Sequence, residues 1–153
     1  MRFYQVDAFA ERPFEGNPAA VCIMDRWLPD DVMLKVAIEN NLSETAFAVG
    51  SDGHYELRWF TPGGEINLCG HATLATSYVI MNHVEPGLDH VDYDTMSGHL
   101  GVDREGDMYV LDFPRIQTHP YELRDDMVEA LGIEPSEVWI GERDPIFLLD
   151  SEE

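Results

Sequence analysis

The sequence predicts an α+β fold in which β-strands wrap around one central, apolar helix. Residues 70–81 carry no charged side chain apart from a possible imidazolium at His71, although the chain as a whole is strongly acidic. A helix that is apolar on all sides has to be buried on all sides. Segments with the alternating pattern of strands lie before and after this helix, so strands from both parts of the chain must cover it.

Composition and charge exclude several classes of protein. The chain has 153 residues, 44% of them hydrophobic, which suffices for one domain or two very small ones with a real core. Thirty Asp and Glu residues stand against nine Lys and Arg, giving a net charge of -21. This charge repels nucleic acids and anionic membranes, so neither is expected as a partner. The N-terminus lacks a signal-peptide pattern, no apolar run spans a bilayer, and Cys22 and Cys69 have no CxxC spacing. We therefore expect a cytoplasmic protein with reduced cysteines.

Several strands and one helix are predicted before the central helix. The alternating side chains of RFYQVDAF predict the first strand, and a turn at Gly16-Asn17-Pro18 leads into a second, buried strand. Pro29 followed by two aspartates is typical of the first turn of a helix. Further strands are predicted in SETAFAVG and HYELRWFT, and the chain then turns at TPGG before the short segment EINL.

The start of the central helix, predicted over 70–82, has no good cap. Free N–H groups at a buried helix start need acceptors, and the sequence Cys69, Gly70, His71 supplies none. Either the side chain of Asn67 accepts from these groups, or an anion such as a ligand carboxylate does. We predict that this helix start binds a small anion.

After the central helix the pattern returns to strands and then changes. The stretch HVDYDTMSGHLGVDREGDMYVLDF predicts strands around a break at Gly98 and a hairpin at 104–107. Beyond Pro114, a short helix closed by Gly132 is predicted, followed by two buried strands in VWIG and PIFLLD. An apolar strand so close to Glu153 is poorly covered, so we expect the chain to be the front part of a longer protein.

Three separated motifs carry a resemblance to a known family: DAFAERPFEGNPAAV, NLSETAF and RWFTPGGEINLCGHATLATSYVI. In this order and spacing they resemble the phenazine-biosynthesis isomerase (PhzF-like) family, relatives of diaminopimelate epimerase. The weaker motif SGHLGV fits as well. The resemblance implies a diaminopimelate-epimerase-like fold of two similar halves, each a mainly antiparallel sheet curled around a central helix, with the active site in the cleft between them. Residues 1–116 would form the first half, and residues 117–153 would begin a second, truncated half.

The resemblance assigns the acid-base role to Glu44. This residue, in the motif SETAF, matches the catalytic carboxylate of the family. A glutamate in a strand usually faces solvent, and the resemblance reverses that interpretation. Moving a proton between two carbons needs one group that takes the proton and returns it, and a carboxylate tuned by burial can do both.

Residues around Glu44 are expected to contact the substrate. His71 and Gly70 match positions beside the substrate at the helix start, where glycine permits close approach of the backbone. From the residues alone, His71 is more simply a core histidine bonded to backbone. Asn17 matches a turn that lines the cleft, although a simple Asx-turn is an equal alternative. Ser43 is expected to help orient Glu44.

Cys69 leaves two alternatives open. In epimerase and racemase relatives, a cysteine at the corresponding helix start is a catalytic base, and a helix N-terminus would lower its pKa. Some phenazine-type members lack this cysteine, and a buried, inert thiol that only lines the substrate site is the favoured interpretation.

No metal site and no cofactor are expected. The chain contains no phosphate-binding loop and no dinucleotide fingerprint. The remaining histidines are scattered over turns without the spacing of metal ligands. They are His54, His83, His90, His99 and His119.

Together the motifs imply a cofactor-independent isomerase that moves a proton on a small carboxylated metabolite, and the resembled family makes a homodimer the expected assembly. One alternative is a cysteine-dependent racemase or epimerase of an amino acid, and another is a non-catalytic binding fragment. The second half of the resembled family brings an aspartate and a small-residue loop to the site, and nothing similar precedes Glu153. We therefore expect residues 1–153 alone not to turn over a substrate.

Overall fold

The structure, a computed structural model, describes residues 1–12, 14–141 and 144–151. The chain divides into two compact units, Met1–Phe113 and Pro114–Glu153, and the assignment of residues 1–116 and 117–153 to two halves of the family fold stays a prediction. The strands are β1 (Arg2–Ala8), β2 (Asn17–Met24), β3 (Glu44–Ser51), β4 (His54–Thr61), β5 (Gly64–Ile66), β6 (His90–Thr95), β7 (Gly98–Glu105), β8 (Met108–Asp112), β9 (His119–Pro120), β10 (Glu137–Ile140) and β11 (Pro145–Leu148). The helices are α1 (Asp30–Asn40), α2 (Gly70–Val79) and α3 (Asp125–Leu131), and a π-helical segment, Ile80–Val84, continues α2. No helix in the described ranges is long and apolar enough to cross a membrane.

The first unit contains one mixed sheet that curls around α2. Its strand order is β1-β2-β3-β4-β6-β7-β8, with β5 paired to β4. The pairs β2–β3 and β4–β6 are parallel, whereas the other pairs in this sheet are antiparallel. The structure therefore confirms the prediction of an α+β fold with a mainly antiparallel sheet around a central helix.

Most of α2 is buried against the concave face of this sheet, as predicted. The core around it includes Trp59, Leu57 and Tyr93, each at most 1% exposed. Side chains of α2 and its continuation that are buried there are Ala72, Thr73, Ala75, Thr76, Ser77, Val79, Ile80 and Met81. Burying this much apolar surface is the main favourable term in the stability of such a unit.

One side of α2 contradicts the prediction of burial all round. Leu74 is only half-buried and Tyr78 is 42% exposed. The physical reason is that β1 and β8 stand at opposite ends of the strand order and do not pair, so the curled sheet stays open between them. A groove of about 780 Å³ lies along this opening, lined by both side chains and by residues of β1 and β8.

The hydroxyl groups inside α2 are all bonded. Thr73, Thr76 and Ser77 each donate to the carbonyl four residues earlier, at 2.6, 2.7 and 2.9 Å. The Ser77 hydroxyl also lies 2.8 Å from the Tyr93 hydroxyl. A buried hydroxyl without a partner would cost free energy, and these bonds let a polar side chain sit in the core.

The second unit consists of α3 and a three-stranded antiparallel sheet in the order β11-β10-β9. The predicted helix closed by glycine is confirmed, because Gly132 ends α3 with a left-handed φ of 72°. The prediction that the two last strands are buried is wrong for β11. Ile146 and Leu148 are each 52% exposed, since this strand lies at the edge of a small sheet.

Candidate active site

The sheet topology brings distant segments to one end of the first unit. Because β2 and β3 are parallel, with Ala19 opposite Glu44, the starts of both strands lie side by side. Asn17, the first residue of β2, therefore lies near Glu44, the first residue of β3. β4 runs antiparallel to β3 and returns the chain to this end, with Thr45 opposite Phe60. After β5, the chain enters α2 at the same end.

Glu44, Cys69 and His71 meet where β3 and α2 begin. His71 Nε2 lies 3.3 Å from Glu44 Oε2, and His71 Nδ1 lies 3.4 Å from Cys69 Sγ. One ligand atom from each of the three side chains lies within 4.8 Å of the others. The side chains of Glu44 and His71 are only 17% and 11% exposed. The structure therefore brings together an acid, an imidazole and a thiol in a partly dry environment.

Ser43 connects this group to Asn17. The Ser43 hydroxyl donates to Asn17 Oδ1 at 3.4 Å and lies 3.4 Å from His71 Nε2. The side chain of Asn17 is thus hydrogen-bonded to the residue that immediately precedes β3. Through these contacts Ser43 acts directly on His71, so its predicted influence on Glu44 would be transmitted by the imidazole.

One oxygen of Glu44 has no hydrogen-bond donor. Glu44 Oε2 is buried, and within the described residues no group meets hydrogen-bond geometry with it, although the His71 ring lies close. Buried acceptors in folded proteins are nearly always paired, because an unpaired one costs about 1–3 kcal/mol. An exception of this kind is typical of a site that keeps an acceptor available.

The start of α2 has no side-chain cap. Cys69 occupies the N-cap position with an extended backbone, and no capping hydrogen bond is formed by a side chain there. Its carbonyl is satisfied, since Thr73 donates both its N–H, at 3.2 Å, and its hydroxyl. The backbone carbonyl of Asn67 accepts a hydrogen bond from the Ser97 hydroxyl at 2.8 Å. Among the described residues no side chain forms a cap hydrogen bond at the start of α2, although the N–H groups of His71 and Ala72 lie near the Cys69 sulfur, and binding of an anion there stays a prediction.

Burial is the main influence on the pKa of the Cys69 thiol. The pKa of Cys69 is raised to about 11: removal from water is the largest cause, the nearby N–H of Ala72 lowers the pKa by less, and the charge of Glu44 adds to the rise. The expectation that the helix N-terminus would lower the pKa of this thiol is therefore wrong in its net sign, because desolvation is the larger effect. Near neutral pH, Cys69 is a thiol rather than a thiolate.

Phe113 is a neighbour of the site that the sequence did not indicate. A Cβ atom placed on Gly70 would lie 3.3 Å from Cε2 of the Phe113 ring. Glycine at this position thus lets an aromatic ring lie close to the first turn of α2. No local pattern marks Phe113 in this way, because its distance from Gly70 depends on how β8 packs beside the helix.

Comparisons with known proteins identify the family of this chain. The family model for phenazine biosynthesis-like proteins (PhzC-PhzF) matches residues 6–136. An uncharacterized isomerase from Pseudomonas aeruginosa is 52% identical over 138 residues, which cover 90% of this chain and 53% of the relative. The chain spans about half the length of the curated relatives it matches.

Solved structures lead to the same family. The crystal structure of a PhzF-family phenazine biosynthesis protein from Enterococcus faecalis is 47% identical, with a TM-score of 0.89 over 98% of this chain and 57% of that one. A protein from Pseudomonas aeruginosa described as a predicted epimerase shares the fold, with a TM-score of 0.70 at 24% identity over 90% of this chain and 55% of that one. On the family match and these relatives, the chain belongs to the PhzC-PhzF family of phenazine biosynthesis-like proteins.

Proposed function

We propose that this chain provides the acid-base half of the active site of a cofactor-independent isomerase, in which Glu44 moves a proton on a small carboxylated metabolite. The observation that carries the proposal is the unpaired, buried Oε2 of Glu44, 3.3 Å from His71 and beside the uncapped start of α2. Relatives of this chain are named isomerases, which supports the reaction class.

The proposed proton transfer needs only a carboxylate base and hydrogen-bond donors beside it. Glu44 takes a proton from one carbon as the C–H bond breaks, and the electron pair is held in the conjugated system of the substrate. The same carboxyl group then returns the proton to a second carbon, so no oxidant or reductant is consumed. His71, held by Ser43, can donate a hydrogen bond that steadies the carboxylate or the substrate. The free N–H groups of α2 suit the carboxylate of the substrate.

A second half is part of this proposal. The chain spans about half the length of its curated relatives, and the resembled family builds its cleft from two similar halves. We propose that another half, on the same or another polypeptide, supplies the opposite wall, in a homodimeric and cytoplasmic enzyme. Residues 1–153 on their own would then bind poorly and turn over nothing.

A cysteine-dependent racemase or epimerase is the second candidate. The distance of 3.4 Å between Cys69 Sγ and His71 Nδ1 favours it, because an imidazole so placed could accept the proton of the thiol. The raised pKa of Cys69 works against it, since a base of this type has to be a thiolate near neutral pH. We therefore rank Glu44 above Cys69.

The test measures incorporation of solvent deuterium into a panel of unsaturated ring acids and amino acids by mass spectrometry, with the complete encoded protein. Glu44→Gln should lower exchange about 100-fold or more, as expected for loss of a general base. Cys69→Ala should change it little. Glu85→Gln, the same change at a carboxylate outside the site, is the matched control and should leave exchange per folded molecule intact.

Other outcomes assign the function differently. Loss of exchange in Cys69→Ala with retention in Glu44→Gln would establish the racemase candidate instead. Binding of a metabolite without any exchange in the complete protein would leave only a binding role.

A further inference from the structure

We propose that Glu44, Cys69 and His71 form a binding site for a thiophilic divalent cation such as Zn²⁺, and that the bound ion inhibits the enzyme. Binding rests on the geometry of these three side chains alone. Inhibition rests in addition on the proposed role of Glu44.

The three side chains offer the ligand types that zinc prefers. Thiolate sulfur, imidazole nitrogen and carboxylate oxygen are its usual protein ligands, and three of them with one open position is the arrangement of many accessible zinc sites. Among the described residues, Glu44, Cys69 and His71 form the group of potential metal ligands whose ligand atoms lie within 4.8 Å of one another. The sequence predicted no metal site because its ligands come from two distant segments and share no spacing motif.

One ligand atom from each of the three side chains lies within 4.8 Å of the others, so the side chains can converge on one ion after the imidazole turns. Bonds of roughly 2.0–2.3 Å in a tetrahedral site place neighbouring ligand atoms about 3.3–3.8 Å apart. The observed separations are 3.4 Å from Cys69 Sγ to His71 Nδ1 and 3.3 Å from His71 Nε2 to Glu44 Oε2. A small rotation of the imidazole is needed for one of its nitrogens to face both neighbours.

Three further features favour occupancy. Glu44 Oε2 is buried without a hydrogen bond, so an ion would complete its coordination rather than break an existing bond. The Ser43 hydroxyl lies 3.4 Å from Nε2 in the present orientation of the ring, so it is close enough to support the imidazole when Nδ1 binds the ion. The net charge of -21 raises the local concentration of cations.

Binding would remove the acid-base function. The thiol of Cys69 gives its proton to solvent as the sulfur binds the ion. A carboxylate oxygen of Glu44 that is coordinated to the ion cannot take a proton from a substrate. The ion and the substrate should therefore compete for the same end of α2.

The test titrates the protein with Co²⁺, a spectroscopic substitute for Zn²⁺, and follows the near-ultraviolet charge-transfer band of a cobalt–thiolate bond. Wild-type protein should show the band, and Zn²⁺ should displace it. Cys69→Ala should abolish the band, and His71→Ala should weaken Co²⁺ binding by about 100-fold or more, beyond the 10- to 100-fold typical of losing a residue that merely supports a ligand. Cys22→Ala is the matched control for a buried thiol elsewhere and should keep the band.

Surface histidines cannot imitate this result. His90 and His99 both contact Asp92 Oδ1, at 3.1 and 2.8 Å, and could bind Co²⁺ on the outside of the sheet. That group contains no sulfur, so it gives no thiolate band.

The outcomes separate this inference from the proposed function. A protein without a thiolate band, or with one that survives Cys69→Ala, overturns the metal site and leaves the acid-base proposal as it was. A band that depends on Cys69, with deuterium exchange unaffected by Zn²⁺, overturns inhibition. A band with no exchange on any metabolite keeps the metal site and removes the proposed function.

Discussion

The two ends of α2 differ in how their carboxylates are bonded. Beyond the C-terminal end, Glu85 accepts from the N–H of Asp52, the N–H of Gly53 and the hydroxyl of Tyr55, at 3.0, 2.9 and 2.6 Å. At the N-terminal end, Glu44 keeps a buried oxygen without a donor. The same residue type thus has opposite surroundings at the two ends of the helix.

Aromatic hydroxyls extend the bonded network at the C-terminal end. Burial, together with the hydrogen bond to Glu85, raises the pKa of Tyr55 well above its ordinary value. Burial also raises the pKa of Tyr93, whose hydroxyl meets Ser77. Both phenols therefore stay neutral over the whole physiological range and hold the strands β4 and β6 to the end of the helix. At the N-terminal end, no donor among the described residues meets hydrogen-bond geometry with Glu44 Oε2, which is consistent with its proposed role.

The largest expected effect concerns Glu85→Gln. An amide has one acceptor oxygen in place of two, so at least one of the donors in the Asp52–Gly53 turn or on Tyr55 loses its acceptor. We expect the free energy of unfolding to fall by about 1–3 kcal/mol, measured by chemical denaturation. Glu39→Gln, at an exposed glutamate of α1, is the matched control and should change stability by less than about 0.5 kcal/mol. Equal stability of the two variants would show that the network at this end does not stabilise the fold.

The second prediction concerns how the two buried thiols make the free energy of unfolding depend on pH. Burial raises the pKa of Cys22 to about 12 and that of Cys69 to about 11, from 9.0 in both cases. Above pH 9 the unfolded chain loses these protons while the folded chain keeps them, so stability falls as pH rises toward the folded-state pKa values. For Cys22 the loss is up to about 1.4 kcal/mol per pH unit in this window.

Denaturation at about pH 8 and about pH 10 measures this loss. Cys22→Ala and Cys69→Ala should each remove a similar share of the loss in this window, because both folded-state pKa values lie above pH 10. An identical slope of stability against pH in wild type and Cys22→Ala would contradict the prediction.

The smallest expected effect is that of Glu44→Gln on stability. Its unpaired oxygen costs free energy in the folded state, so replacing the carboxylate by a neutral amide should leave stability unchanged or raise it by up to about 1 kcal/mol. Denaturation of Glu44→Gln beside Glu85→Gln provides the measurement. A fall as large as that of Glu85→Gln would mean that Glu44 is a structural residue, and the contrast between the two ends would be lost.

Much of the fold followed from local patterns. The absence of charge over 70–81 predicted the central helix, and alternation predicted the strands that cover it. The incomplete burial of Leu74 and Tyr78 did not follow, because burial of a helix side depends on whether the ends of a sheet meet. The role of Glu85 was equally hidden, since a glutamate before a Pro-Gly pair looks like an ordinary loop residue and its donors lie thirty or more positions away.

For the candidate site, the sequence by itself determined the residue types: a carboxylate at the start of a strand, and a thiol, a glycine and an imidazole at the start of an uncapped helix. Their membership of one site came through a family resemblance, not through spacing. Only the tertiary structure decided that they meet, because the parallel pairing of β2 with β3 and the return of the chain through β4 and β5 place the start of α2 beside Glu44. The protonation of Cys69 was also a tertiary matter, since the sequence shows a helix N-terminus that lowers a thiol pKa, whereas the folded chain adds the burial that raises it further than the helix lowers it.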